Sequence, residues 1–229
     1  MFTGFTEETI QFFLDLKFHN NTAFFHEQHE RYVADVQHVF YEMIDALAPD
    51  MLAIDPGMEV RPHKCLSRIH RDTRFTRDKS PYRDHLWFLF RHAGEPREKA
   101  LFYYFELGPD RLSWGMGFWG ENREALDLFR KRMRANPDGI LALLDDLRLD
   151  RRKLLLDGTA HRKMPVPPEI PERLKRWYLA KEMYIGKMAP DYRMIYSEKI
   201  LKEVRADFHT LAPLYKVLRG CADEAGRST

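Results

Sequence analysis

The chain has 229 residues, of which 44% are hydrophobic and 31% charged. That length can bury a sizeable core, and the balance of apolar and charged residues excludes wholesale disorder. The net charge of +2, from 37 basic against 35 acidic residues, excludes a general polyanion coat, so any electrostatic function has to come from local clustering. Cys65 and Cys221 are the only cysteines, too few and too far apart for a disulfide framework, and a reducing, cytoplasmic setting is the expectation. The first residues show no positive n-region leading into an apolar run, so no secretory signal is expected. No stretch approaches the roughly 20 apolar residues that cross a bilayer, and no membrane partner is expected.

Taken in chain order, two helices open the sequence. Thr6 caps the first, with Ile10, Phe13 and Leu16 at helical spacing and an end near His19-Asn20-Asn21. Asn21 or Thr22 caps the second, whose apolar stripe runs through Phe25, Tyr32, Val36, Phe40, Met43 and Leu47, and Pro49 with Asp55-Pro56-Gly57 ends it. The period then changes. Leu86–Phe90 and Leu101–Leu107 are apolar on both alternation faces, as covered strands are. Gly108-Pro109-Asp110 turns the chain into Arg111–Trp119, where Leu112, Trp114, Met116 and Phe118 share one face and Ser113, Gly115 and Gly117 the other. An antiparallel meander is predicted over roughly 62–119. Helices follow: one over about Glu121 to Ala135, one with Asn136 as cap and Pro137 at its first position, and one after the Pro165–Pro171 stretch carrying Leu174, Trp177 and Lys181. A final helical region runs through Leu201, Val204, Phe208, Leu211, Tyr215 and Leu218, kinked or divided at Pro213. The expected fold class is α+β: a central antiparallel sheet flanked by N-terminal and C-terminal helices, in one domain over 1–220, with a polar tail at 221–229.

Several motifs match in letters and fail in context. Gly115-Met-Gly117-Phe-Trp-Gly120 has the dinucleotide-binding spacing, but no second strand ending in an acidic residue follows about 20 positions on. Small residues there read instead as room for another backbone to approach. His70-Arg71-Asp72 resembles a kinase catalytic loop, yet Arg77 stands where that loop needs a metal-binding Asn. His26 and His29, with Glu30 beside them, lack a third ligand, and His63, His70, His85 and His92 show no ligand-like pairing. No metal site and no cofactor are read from the sequence, and no nucleophile elbow is present.

The segment that stands out is Arg61–Arg83. It holds eight basic residues (Arg61, Lys64, Arg68, Arg71, Arg74, Arg77, Lys79 and Arg83) against Asp72 and Asp78, a local charge of +6. Guanidinium groups are two-pronged donors suited to carboxylates and phosphates. Asp72 and Asp78 are placed to orient them, Ser80-Pro81-Tyr82 supplies a turn, and Tyr82 adds a hydroxyl. Phe75 reads as an apolar anchor for the loop. The same pattern also suits a structural Arg–Asp network with no ligand.

Asn20-Asn21-x-x-Phe24-Phe25 and Arg68-Ile-x-Arg71-Asp72-x-Arg74-Phe75-x-x-Asp78-Lys79-x-Pro81-Tyr82 resemble the signatures of the domain of unknown function 2461 family, as do Tyr103 or Tyr104 and Gly115-x-Gly117-x-Trp119. The resemblance runs from about Phe5 to Lys187. Phe24 replaces a usual Trp, Gly120-Glu121 replaces a Pro-containing turn, and the Pro-rich stretch near 165–171 matches only loosely. The resemblance brings no activity, substrate or cofactor with it.

The functional expectation from the residues is a site for a small anionic ligand bearing phosphate or carboxylate. Arg68, Arg71, Arg74 and Lys79 bind it, Asp72 and Asp78 orient the cations, Tyr82 donates a hydrogen bond, and the Gly115/Gly117 face forms an open floor. Arginine alone does not imply turnover, and His70 is the available acid–base group in the segment. A second reading is nucleic-acid binding through the basic 61–83 stretch, with Phe75 and Tyr82 stacking bases and Arg151, Arg152, Lys153, Arg162 and Lys163 extending the surface. A third is a protein-interaction scaffold in which the Arg–Asp network only holds the fold.

Overall fold

A computed structural model of the chain describes residues 1–74, 77–96, 98–118 and 122–227. Its elements are α1 (Glu7–Phe18), α2 (Thr22–Glu27), α3 (His38–Ile54), β1 (Leu86–Arg91), β2 (Leu101–Gly108), β3 (Arg111–Phe118), α4 (Arg123–Ala135), α5 (Pro137–Leu147), β4 (Leu154–Asp157), β5 (Tyr184–Lys187) and α6 (Lys199–Arg227). The fold is α+β, and the described strands form a five-stranded antiparallel sheet in the order β1-β2-β3-β5-β4.

The caps follow the side chains that can make them. Thr6 and Thr9 form a reciprocal capping box at α1. The Asn21 side chain accepts from Phe24 N at 2.9 Å, and Asn136 accepts from Gly139 N at 2.9 Å ahead of Pro137. The second helix does not run as the single stretch expected. A π-helical segment, Tyr32–Gln37, separates the short helical turns at Thr22–Arg31 from α3. Such widening disturbs the regular carbonyl pairing, and Thr9 Oγ1 donates to the Asp35 carbonyl at 2.6 Å. Pro49 lies inside α3 and does not end it. Proline removes one helical donor, and hydrogen bonding around it is supplemented from outside, where Arg205 donates to the Ala46 carbonyl at 2.7 Å and pairs with Asp50 at 2.8 Å.

Three further expectations change. The meander over 62–119 contains β1, β2 and β3, but the sheet also includes β4 and β5, strands of four residues each that are too short to show a period. The helix expected directly after the proline-rich stretch is a single α-helical turn, Lys175–Tyr178, and Lys181 lies beyond it. Helix α6 runs unbroken through Pro213 and on to Arg227. Its buried face, with Phe208, Leu211, Leu214, Tyr215, Leu218, Cys221, Ala222 and Ala225, continues on both sides of the proline and into the stretch expected to be a polar tail. Tertiary burial therefore outweighs the roughly 3 kcal/mol that an interior proline costs. Trp119, Gly120 and Glu121, which carry the end of the glycine pattern and the expected start of α4, lie outside the described residues.

The chain divides into two compact units. Unit 1 comprises Met1–Phe90, Tyr104–Trp114 and Ala189–Arg205; unit 2 comprises Arg91–Tyr103, Gly115–Met188 and Ala206–Thr229. An aromatic cluster organises unit 1. Phe105 stacks on Phe5 at 5.8 Å and on Phe88 at 5.4 Å, meets Phe40 edge-on at 6.3 Å and faces Trp114 at 6.5 Å. In unit 2, Gly115 and Gly117 pair with Gly186 and Tyr184. A Cβ on Gly115 would lie 2.1 Å from the Ile185 carbonyl oxygen, and one on Gly117 would lie 2.3 Å from that of Met183. These glycines admit a neighbouring backbone, one of the two readings of the sequence; because that backbone, at β5, fills the space beside them, the open floor expected for a ligand is not there.

Candidate functional site

The Arg-rich segment folds back on itself as an irregular two-stranded ribbon. Arg71 N donates to Pro81 O at 2.8 Å, Arg83 N to Ile69 O at 2.9 Å and Ser67 N to Trp87 O at 2.8 Å. Ile69 and Tyr82 point into the core of unit 1. The Tyr82 ring stacks on Phe25 with centroids 4.2 Å apart. Asn20 holds the same residue from its backbone: its Nδ2 donates to Tyr82 O at 2.9 Å, and its Oδ1 accepts from Tyr82 N at 3.0 Å. Tyr82 bridges to His70 at a position of the ribbon that makes no cross-strand hydrogen bond, so one side chain satisfies both of its outward-facing backbone groups. Asn20→Ala is expected to cost about 1–3 kcal/mol, the penalty for stranding part-buried backbone groups, measured by urea denaturation. A loss below a few tenths would show that water replaces the amide.

The charged side chains of the ribbon partner largely with one another. Arg74 grips Asp72 with Nε at 3.0 Å and NH2 at 2.7 Å, and Arg71 pairs through NH1 with Asp78. Lys79 donates to Thr73 O at 2.7 Å, while Arg83 NH1 donates to the carbonyls of Arg68 and His70. Arg68 and Arg77 are exposed, and among the described residues neither side chain has an ion-pair or hydrogen-bond partner. Arg71 Nε is buried without an acceptor among the described residues. Phe75 lies outside the described residues.

The carboxylates record this pairing. Hydrogen bonds from the Arg74 side chain and backbone bring Asp72 down to about 2 from its ordinary 3.8, and the Ser80 side chain and backbone lower Asp78. A depressed carboxyl favours the folded loop above its unfolded value and loses that contribution as pH falls through its folded value. The Arg74 and Ser80 amides donate to these carboxylates at 3.2 and 2.9 Å. Their NMR shifts should therefore move only as pH falls below the ordinary carboxyl value of 3.8, that of Arg74 as Asp72 titrates at about 2. Amides that ignore this range would show the loop pairs to be absent in solution.

Directly after the ribbon, at the entry to β1, lies a second cluster. His85 Nδ1 is 2.9 Å from Asp84 Oδ1, and its Nε2 is 3.6 Å from Glu106 Oε1 on β2. Burial works to raise the Asp84 carboxyl, but the hydrogen bond from His85 and the charges of His85 and Arg111 leave it below its ordinary value. Glu106 also faces Arg111 at 3.6 Å and accepts from Ser113 Oγ at 3.4 Å, both on β3. Trp87 stacks on His85 with centroids 5.7 Å apart, and the Arg83 guanidinium lies 5.0 Å from the Trp87 ring centroid. The Trp87 indole Nε1 is buried and has no hydrogen-bond acceptor among the described residues. Gly108 makes this packing possible, since a Cβ there would sit 2.6 Å from His85 Cβ. Tyr192 secures the same turn by donating to Gly108 O at 2.7 Å. The side chains of His85 and Glu106 stay 14% and 27% exposed, enough to meet solvent.

This cluster has the geometry of an acid–base group: an imidazole oriented through Nδ1 by a carboxylate, with Nε2 facing a second carboxylate too distant for a direct hydrogen bond. His70, the acid–base candidate read from the sequence, is exposed and packs edge-on to Phe25, and among the described residues no carboxylate pairs with it. Among those residues no three His, Cys, Asp or Glu side chains converge in a way that could hold a metal ion. No helix of the described residues is long and apolar enough to cross a membrane.

The family model described as Conserved hypothetical protein (DUF2461) matches residues 8–216. The chain belongs to this family. No curated protein matches it. In this DUF2461 member the motif residues recognised in the sequence hold one another: Asn21 caps α2, Asn20 and Phe25 clamp Tyr82, and Asp72 and Asp78 hold Arg74 and Arg71. The Asp84–His85–Glu106 cluster was not singled out beforehand. The adjacent Asp and His were visible, but Glu106 joins them only through the placement of β2 beside the entry to β1.

Proposed function

We propose that this DUF2461 protein binds a small carboxylate- or phosphate-bearing molecule on unit 1 and exchanges a proton with it at His85. The observation that carries the reading is His85 held between Asp84 at 2.9 Å and Glu106 at 3.6 Å. Asp84 keeps Nδ1 protonated and leaves Nε2 to meet the ligand, while Glu106 is the partner that takes up or returns a proton. Arg111 and Arg83 border the cluster, and Arg68 and Arg77, which have no partner among the described residues, supply positive charge on the adjoining ribbon, which favours an anion. Arg71, Arg74, Asp72, Asp78, Lys79 and Tyr82 act in this reading by holding the ribbon in shape, with Arg71 Nε still able to donate.

A thermal-shift screen with phosphorylated metabolites, dicarboxylates and short oligonucleotides, run on wild type, His85→Gln and Arg71→Ala, tests it. One class of small anion is expected to raise the midpoint of wild type. For a carbonyl-bearing ligand of that class, deuterium uptake from D2O should slow by about 10²-fold or more in His85→Gln. Binding that survives with unchanged exchange would remove His85 from the chemistry. Stabilisation by oligonucleotides alone, falling steeply with salt, would favour the nucleic-acid reading. No stabilisation by any class, with Arg71→Ala only less stable, would favour the scaffold.

A further inference from the structure

Two donors of the His85 cluster converge on one atom. Glu106 Oε1 lies 3.6 Å from His85 Nε2 and 3.6 Å from Arg111 NH1, while Glu106 Oε2 accepts from Ser113 Oγ at 3.4 Å. Arg111 also faces Asp110, with its Nε at 3.7 Å. These three nitrogen–oxygen distances exceed that of a hydrogen bond, so the donors attract the carboxylates without being locked to them. Arg111 opens β3, and half of its side chain is exposed. Two atoms that share a neighbour at 3.6 Å are no farther apart than twice that distance. One carboxylate bridges such a span with a hydrogen bond to each oxygen.

The charges around that gap decide which anion fits. Arg111 stands among three acids, Asp84, Glu106 and Asp110. Burial works to raise the Asp84 carboxyl, yet His85 and, to a smaller extent, Arg111 keep it below its ordinary value. The neighbouring cations are engaged on other groups: Arg83 donates to the carbonyls of Arg68 and His70, and Lys17 faces the second oxygen of Asp110 at 3.7 Å. A monocarboxylate brings one negative charge and fits the fork of one guanidinium. A phosphate monoester brings about two. Arg111 offsets the first of them, and the three acids repel the second.

We propose that the His85 site takes a carbonyl-bearing monocarboxylate, with Arg111 as the specificity-determining residue that grips its carboxylate and Glu106 as the group that turns a phosphate ester away. The inference rests on the reading of His85 as the proton-exchanging group and narrows the anion which that reading leaves open.

Two probes that both carry a ketone and differ in their anion, pyruvate and dihydroxyacetone phosphate, test it on the full chain. In NMR titrations the Arg111 Nε–H and the His85 ring signals are expected to shift saturably with pyruvate, and dihydroxyacetone phosphate should bind about tenfold or more weakly. Arg111→Gln should weaken pyruvate about tenfold or more, as loss of a charge-assisted pair does, and Arg111→Lys, which keeps the charge without the fork, should restore only part of it. Glu106→Gln should strengthen dihydroxyacetone phosphate more than pyruvate and so narrow the difference between them. All three variants are expected to keep the wild-type amide spectrum away from the cluster. Equal affinities for the two probes in wild type, unchanged pyruvate binding in Arg111→Gln, or the absence of saturable shifts with pyruvate overturns the proposal. Deuterium uptake from D2O, followed in wild type and His85→Gln, judges the proton chemistry separately. Arg111-dependent pyruvate binding with no His85-dependent uptake upholds the carboxylate assignment and removes His85 from the chemistry. His85-dependent uptake into dihydroxyacetone phosphate that Arg111→Gln leaves unchanged overturns the assignment and keeps His85.

Discussion

Asp207→Ala is expected to be among the most damaging single substitutions in the protein, lowering the unfolding free energy by about 3–5 kcal/mol. Asp207 is fully buried in unit 2, with Arg152 Nε at 2.6 Å from one carboxylate oxygen and Lys187 Nζ at 3.0 Å from the other. Arg152 comes from the turn before β4, and Lys187 from the end of β5, so one carboxylate on α6 grips both strands where they pair, with Leu154 opposite Lys187. Moving three charges out of water is costly, and their mutual attraction offsets that only while the set is complete. Removing the carboxylate leaves two cations facing each other, 9% and 31% exposed at the side chain. Chemical denaturation of Asp207→Ala measures the effect, and Asp207→Asn separates charge from shape. If Asp207→Asn is as stable as wild type, the carboxylate's charge is not what holds the two segments.

Phe105→Ala should cost about 3–5 kcal/mol, the range for emptying an aromatic site in a packed core. Phe105 is fully buried in unit 1, with four aromatic rings around it within 6.5 Å. These rings come from the N-terminal segment, α3, β1 and β3, so they cannot all move inward to fill the space that alanine leaves. Phe105→Leu, which keeps much of the volume, should cost markedly less. A Phe105→Ala protein within about 1 kcal/mol of wild type in urea would mean that the cluster collapses freely and that the core is loosely packed. Because Glu106 follows directly on β2, the same substitution should also disturb the His85 cluster. The Asp207 substitution, in the other unit, tests stability without touching that cluster.

What proved legible in the sequence was local. The caps at Thr6, Asn21 and Asn136 need only a side-chain oxygen two or three residues from a free amide, and they stand as read. The β2–β3 hairpin was announced by two apolar runs around Gly108-Pro109-Asp110. The pairing of Asp72 with Arg74 is likewise short-range, two residues apart. Proline was misread for the opposite reason. Pro49 and Pro213 carry a local penalty that the sequence shows, while the burial and the Arg205 contacts that offset it come from distant segments.

The candidate chemistry divides along the same line. The amino-acid order alone determined that this is an α+β chain of the DUF2461 family and that its positive charge gathers between residues 61 and 83, because motif, period and charge density are properties of neighbours along the chain. Only the tertiary structure decided how that charge is spent, pairing Arg71 and Arg74 internally while leaving Arg68 and Arg77 without partners among the described residues. It alone brought Glu106 within 3.6 Å of His85. Such contacts join residues far apart in the chain, and their geometry follows from strand placement and core packing, which no local pattern encodes.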